Sequence, residues 1–558
     1  MRLRHRNRAF FSAKIRSFPH HLRTDYPTNM LFNSYEFIFL FLPLTLLGFH
    51  WIGKQGHHRS AIAWLVSASL FFYGWWNPAY LFLILFSILF NYGMGALIKG
   101  ATNSSQMKTL LILGITINIG LLGYYKYANF FIESLNAIAS TELVLNKIIL
   151  PLAISFFTFQ QITYLVDVYR GGAIEHSFLH YCLFVTFFPQ LIAGPIVHHK
   201  EMLPQFVRNS VYRLRAKHLA VGFSIFAIGL FKKVGLADRV GITATNVFEA
   251  AESGLTLTLF EAWAGALAYS LQLYFDFSGY SDMAIGLARM FSIRLPLNFN
   301  SPYKATSIIS FWRRWHITLS RFLRDYLYTP LGGNHKGEPR RMLNLMITML
   351  LGGLWHGAAW TFVIWGGLHG IFLTINHGWH KIKRKVFNTQ RKPSQAGRLM
   401  GWTITMIVVV IAWVPFRAAS IEGARNLLAS MMGANGLALS GRLTGKLGGA
   451  ELWLIEHGVV FSGMFQNNVV GGSIKGGYLI EILWIIFLLL AVTLLPNTQQ
   501  LLRRYRPAFE TYKNEIPRLR LRWLEWRPTI PWALFITGIY IFSVLSLAQV
   551  SEFLYFQF

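Results

Sequence analysis

The sequence predicts an all-α polytopic membrane protein of about 11–13 transmembrane or re-entrant helices, each needing roughly 20 apolar residues to span. Three observations lead there. Apolar runs recur from residue 35 to the C-terminus. The chain is 54% hydrophobic and only 13% charged, where soluble domains carry about 25% charged residues. Its lysines and arginines sit in the loops between the apolar runs, as the positive-inside rule expects.

The net charge of +29 is therefore a membrane signature and not a nucleic-acid one. No polar stretch is long enough to hold a separate soluble domain. The single cysteine, Cys182, lies in an apolar run and behaves as a small buried hydrophobe. No Walker A pattern is present, which argues against a P-loop pump.

Residues 1–29 are basic and polar, with Arg2, Arg4, Arg6, Arg8, Lys14, Arg16 and Arg23. They lack the apolar core and cleavage site of a secretory signal. Two readings stand: a cytoplasmic basic tail, or sequence upstream of a true start at Met30. The second is favoured, because nothing in the segment is patterned to fold. Residues 30–558 are read as one membrane domain.

Taken in order, apolar segments 35–52, 60–76, 79–98, 108–128, 147–168 and 180–198 precede a basic loop, 199–217, with Lys200, Arg208, Arg213, Arg215 and Lys217. Segments 218–236, 257–290, 342–354 and 357–377 precede the basic loop 381–398. Segment 400–416 leads into the Gly-rich connection 417–478. Segment 479–496 leads into 501–527, with Arg503, Arg504, Arg506, Lys513, Arg518, Arg520, Arg522 and Arg527. Segment 530–549 closes the series. Loop charge places 199–217, 381–398 and 501–527 in the cytoplasm. Simple alternation then puts the N-terminus inside, with 417–478 and the C-terminal tail outside. Several segments are short or Gly-interrupted, so fewer crossings plus re-entrant pairs also satisfy the pattern.

Stretch 269–344 is the polar exception. It carries Asp276, Ser278, Tyr280 and Asp282, then Arg313, Arg314 and His316. Such a density of polar groups does not face lipid. Two readings stand for the acids: pairing with arginines of the following segment, or a polar vestibule that orients a substrate. Arg313 and Arg314, among tryptophans, suit either an anionic phosphate-bearing donor or lipid headgroups.

His356 sits in Gly352-Gly353-Leu354-Trp355-His356-Gly357. A histidine in such apolar sequence costs free energy unless its ring nitrogens find partners. Glycines allow close helix approach and local unwinding, so 352–357 is a candidate break that presents the imidazole. No H-E-x-x-H metal motif occurs.

At these residues the chain resembles the membrane-bound O-acyltransferase family, in its bacterial polysaccharide-acetylating branch. The matching text includes Asn33-Ser34, Ser69 to Trp75, Ile154 to Gln160, and Phe188 to Ile196. It continues with Asp276 to Asp282, Phe311 to Gly333, Trp355-His356-Gly357, Pro415-Phe416-Arg417 and Phe556-Gln557-Phe558. The resemblance runs from about residue 30 to the end.

The resemblance implies a helical shell around a central tunnel, with His356 as principal catalytic histidine and His316 as its partner. Asp276, Ser278, Tyr280, Asp282, Arg313, Arg314 and Trp355 are candidate substrate or tunnel-lining residues, with no metal site. The implied reaction is acetyl transfer from a cytoplasmic acyl-CoA, as substrate and not a bound cofactor, to an extracytoplasmic polysaccharide such as alginate. The implied setting is the bacterial inner membrane, with a periplasmic or secreted acetyltransferase as partner. Peptidoglycan O-acetylation and D-alanyl transfer to teichoic acid are alternatives within the fold. A transporter or flippase using the polar segment as a pathway is the alternative outside it; paired inverted repeats would favour it, and none is found.

Overall fold

In lipid, every main-chain polar group has to be satisfied within the protein. Apolar runs of this length therefore close into helices. The computed structural model describes residues 30–171, 177–386, 394–439, 443–461, 464–465, 467, 469–470, 477–509, 516–519, 521–548 and 553–554. The basic segment 1–29 and the terminal motif at Phe556 lie outside them.

The first half contains α1 (Glu36–Lys54), α2 (His58–Gly74), α3 (Ala79–Gly100), α4 (Ser104–Ala139), α5 (Ile154–Tyr169) and α6 (Phe178–Thr186). Helices α7 (His199–Phe206), α8 (Ala216–Glu252) and α9 (Leu259–Met290) follow. Two short helices, α10 (Ile308–Trp312) and α11 (Ile317–Leu323), lead to the hairpin α12 (Gly337–His356) and α13 (Trp360–Val386). The rest comprises α14 (Gln395–Arg417), α15 (Ile421–Met431), α16 (Gly449–Glu456), α17 (Gly477–Leu494) and α18 (Ile530–Leu545). Among the described residues the one sheet is a two-residue parallel pair, Leu437–Ala438 with Val459–Val460. The protein is an all-α polytopic membrane protein.

Six described helices, α1, α3, α4, α8, α14 and α17, are long and apolar enough to cross a membrane by length and composition. This is fewer than the segments read from the sequence. The remainder are shorter or more polar. Thus α9 buries Glu261, Asp276, Asp282 and Arg289 inside the protein.

Two helices outrun their sequence boundaries furthest. α4 and α8 each pass through a π-helical turn, at Gly123–Tyr127 and Lys232–Ala237, and continue to Ala139 and Glu252. Conversely, α5 starts only at Ile154. The chain before it is extended and tied to α4, where Asn136 exchanges hydrogen bonds with Leu143 at 2.9 and 3.0 Å.

The segment 180–198 does not form one helix of spanning length. α6 ends at Thr186 after 9 residues, about 14 Å of helix at 1.5 Å per residue. The chain then turns back, and His199 packs against Tyr164 and Phe184 with ring centroids 6.0 and 6.2 Å apart. Read as re-entrant, the segment leaves one crossing fewer, which reverses the direction of every helix before it. Alternation had put the two ends of the membrane domain on opposite faces. Instead Tyr35, at the start of α1, donates to the carbonyl of Val544, at the end of α18, at 2.9 Å. The start of α1 and the end of α18 therefore lie side by side, and the residues beyond them, Phe32 and Phe553, turn inward onto Tyr280 of α9.

Glycine sets the closest helix contacts. A Cβ on Gly222 would lie 2.6 Å from the Gly286 carbonyl oxygen, and one on Gly229 would lie 2.6 Å from that of Gly279. Spaced seven apart on both helices, these four residues let α8 and α9 meet backbone to backbone. The hairpin α12–α13 uses the same device, with Gly353 against Phe362 and Gly366.

Candidate active site

His356 is the last residue of α12. Gly357 has φ −158° and ψ 148°, so the helix stops there and the chain reverses into α13. The break foreseen at 352–357 is confined to Gly357. Gly352 and Gly353 stay helical, and Gly353 serves close approach to α13. His356 is buried, with 6% of its surface exposed. Its ring meets those of Trp365 and Phe416 edge to face, centroids 5.1 and 5.2 Å away.

His316 is fully buried and takes a left-handed backbone, φ 42° and ψ 53°. A non-glycine residue there is strained, and such strain concentrates at functional sites. The surrounding chain enforces it. Ile317 N–H donates to the Asn298 carbonyl at 2.9 Å, and Asn300 N–H donates to the Arg314 carbonyl at 2.9 Å. Asn298 Oδ1 accepts from His316 Nδ1 at 3.0 Å and from the Thr318 hydroxyl at 3.0 Å. An amide oxygen only accepts, so Nδ1 carries the proton and Nε2 keeps the lone pair.

The two imidazoles lie 6.3 Å apart between centroids. Trp355 lies 6.2 Å from His316, and Phe277 closes the other side at 4.8 Å. His356 lines a cavity of about 260 Å³ with Trp76, Tyr80, Lys126, Ser155 and Trp355. The walls are otherwise mostly apolar. A neutral imidazole in such a site can take a proton from a hydroxyl or attack a thioester. Apolar walls strengthen the dipoles that would stabilise a tetrahedral oxyanion.

Of the residues singled out in the sequence, the structure gathers His356, His316 and Trp355. It does not bring the polar residues of α9 to that cavity. The pairing of Asp276 and Asp282 with arginines of the following segment is not found. They pair with lysines of the preceding helix, Asp276 with Lys233 at 2.8 Å and Asp282 with Lys232 at 2.5 Å. The π-turn in α8 aims both lysines at α9. Ser278 and Tyr280 are buried beside these pairs, and Tyr280 stacks on Phe32. Arg313 is exposed, and Arg314 Nη1 lies 3.5 Å from the Asn300 carbonyl. Neither touches the cavity at His356.

Sequence reasoning gave no role to Asn298 or Lys126. Lys126 had a visible signal, a lysine inside the apolar and aromatic run Leu121 to Tyr127. Asn298 had none beyond its place in the polar stretch, because its partners come from a turn 18 and 20 residues away.

Residues 172–414 match the membrane-bound O-acyltransferase family. A peptidoglycan O-acetyltransferase of Helicobacter pylori is 46% identical over 438 residues, 74% of this chain and 81% of that protein. The chain belongs to the membrane-bound O-acyltransferase family. A probable alginate O-acetylase of Pseudomonas aeruginosa is 42% identical over 408 residues, 72% of this chain and 75% of that protein. A teichoic acid D-alanyltransferase of Streptococcus thermophilus is 27% identical over 321 residues, 52% of this chain and 75% of that protein. The protein is thus a membrane-embedded acyltransferase, and the bacterial polysaccharide branch of the family is where its relatives lie.

Proposed function

We propose that this acyltransferase moves acetyl from a cytoplasmic acyl-CoA to an extracytoplasmic glycan in the bacterial inner membrane, with His356 and His316 as its catalytic pair. The carrying observation is the 6.3 Å approach of the two rings beside the cavity at His356. The loops 199–217 and 501–527 lie together: Gln205 donates to the Arg294 carbonyl at 3.0 Å and Phe509 N–H to the adjacent Leu295 carbonyl at 2.7 Å, and Lys217 sits 5.2 Å over Tyr505. Their charge assigns that face to the cytoplasm. Tyr326, shortly before α12, meets His198 beside loop 199–217 at 3.2 Å, and α12 then runs 20 residues, about 30 Å, which sets the cavity at its far end toward the outer side. The start of α1 and the end of α18, joined through Tyr35 and Val544, are then on the extracytoplasmic side.

In this scheme Nε2 of a histidine takes the proton of the attacking hydroxyl. The oxygen–acyl bond forms, the carbon–sulfur bond of the thioester breaks, and the proton passes to the departing thiolate. Delivery to the polymer involves a periplasmic or secreted partner acetyltransferase.

The acceptor is a surface polysaccharide such as alginate, or peptidoglycan. The greater identity to the peptidoglycan relative, 46% against 42%, favours peptidoglycan as the second reading. Deleting the gene and measuring ester-linked acetate on isolated peptidoglycan and on exopolysaccharide separates them. Loss from one polymer names the acceptor. Unchanged acetate on both would defeat the proposal.

A further inference from the structure

Lys126 is a lysine inside an apolar helix, and only 9% of it is exposed. An ionisable group at such depth is expensive and calls for a partner. Among the described residues no carboxylate pairs with it. Its ammonium donates instead to the Trp355 carbonyl at 2.5 Å, to the His356 carbonyl at 3.2 Å and to the Ser155 hydroxyl at 3.4 Å. Tyr127, the next residue, donates to the Leu354 carbonyl at 2.9 Å. Three successive carbonyls at the end of α12 are thus held by two neighbouring side chains of α4.

The π-turn at Gly123–Tyr127 makes this possible. Its extra residue rotates the helix surface, and such turns recur at functional sites. The last carbonyls of any helix lack helical partners, and a cation there also answers the negative end of the helix dipole. Helices usually meet this need with glycine, solvent or a surface lysine. Here the donor amine comes from another helix and lands on the residue that carries the imidazole.

We propose that Lys126 is a positioning residue for acyl transfer, tying down the last turn of α12 so that His356 is held against His316. The inference rests on His356 being catalytic. Lys126 acts through the backbone of Trp355 and His356, so its removal affects turnover more than donor affinity, although its side chain also borders the cavity. A displacement of about 1 Å at a reacting group costs on the order of 10²-fold.

The test is Lys126→Met in the full-length protein, with Lys126→Arg and His356→Ala in parallel. The readout is ester-linked acetate on the cell's glycan per unit of membrane-inserted protein. Lys126→Met is expected to lose roughly 10–10²-fold, and Lys126→Arg to recover most of it. With labelled acetyl-CoA and purified protein, kcat should fall by a larger factor than KM changes. Should Lys126→Met fail to insert, Lys126→Cys in a Cys182→Ala background carries the test. Alkylation with 2-bromoethylamine rebuilds an ammonium there, and activity should rise relative to the unalkylated sample. Wild-type activity in Lys126→Met, a change confined to KM, or no gain on alkylation would overturn the role of Lys126. Activity surviving in His356→Ala would instead remove the catalytic reading on which it rests.

Discussion

Asn298 Oδ1 lies 3.0 Å from His316 Nδ1, and that contact decides which nitrogen of the second histidine is basic. The same oxygen accepts from the Thr318 hydroxyl at 3.0 Å, while Asn298 Nδ2 reaches Ser281 Oγ at 3.2 Å. Asn298 therefore joins α9 to the strained turn that presents His316. It fixes tautomer and orientation together.

Asn298→Ala should leave His316 in place but free its ring. Acyl transfer is expected to fall on the order of 10-fold or more, since orientation errors of about 1 Å cost up to 10²-fold. The loss should stay smaller than that of His316→Ala. Glycan acetate normalised to membrane abundance checks this, and a larger effect from Asn298→Ala would show that Asn298 does more than orient.

The pair Lys232–Asp282 should be structural. Removing one partner strands a buried charge, at a cost of about 3–5 kcal/mol. Lys232→Met and Asp282→Leu should each reduce accumulation in the membrane. The double variant should recover much of it, with near-normal activity per inserted molecule. Low specific activity in a well-inserted double variant would return Asp282 to the substrate path.

Gly353→Ala should loosen the α12–α13 hairpin. Its Cβ would fall 2.3 Å from the Phe362 carbonyl oxygen and 3.2 Å from Gly366 Cα, so backbone has to move. Overpacking of this kind costs about 1–3 kcal/mol. Gly367→Ala is the control, with its nearest contact an ordinary 3.6 Å to Leu350. Thermal melting of the solubilised protein should separate the two, and equal melting points would contradict the packing.

Topology follows from the re-entrant segment at α6. Reporters at residues 55, 102 and 385 should lie on one face, with those at 77, 145 and 450 on the other. A straight alternation of spans would exchange 55 with 77 and 102 with 145. Finding 55 and 450 on the same side would restore the crossing at 180–198.

What was legible in the sequence was what a run of residues carries locally. Apolar length gave the helices, and His356 stood out because glycines and tryptophans framed it. The turn-back after Thr186 was not legible, because a re-entrant apolar stretch has the same composition as a spanning one. The lysine partners of Asp276 and Asp282 were hidden by the π-turn in α8, which changes the face its lysines present. Asn298 was hidden for a related reason: its contact with His316 exists only once residues 298–300 and 314–318 are clamped together.

The most direct test is His356→Ala, assayed in protein shown to reach the membrane at wild-type levels. The ring borders a cavity, so its loss should disturb packing less than a fully enclosed side chain would. General acid–base catalysis is worth about 10²–10⁴-fold, and ester-linked acetate on the cell's glycan should fall by at least that factor. Normal acetylation by a well-inserted His356→Ala protein would contradict the assignment of His356 as the catalytic residue.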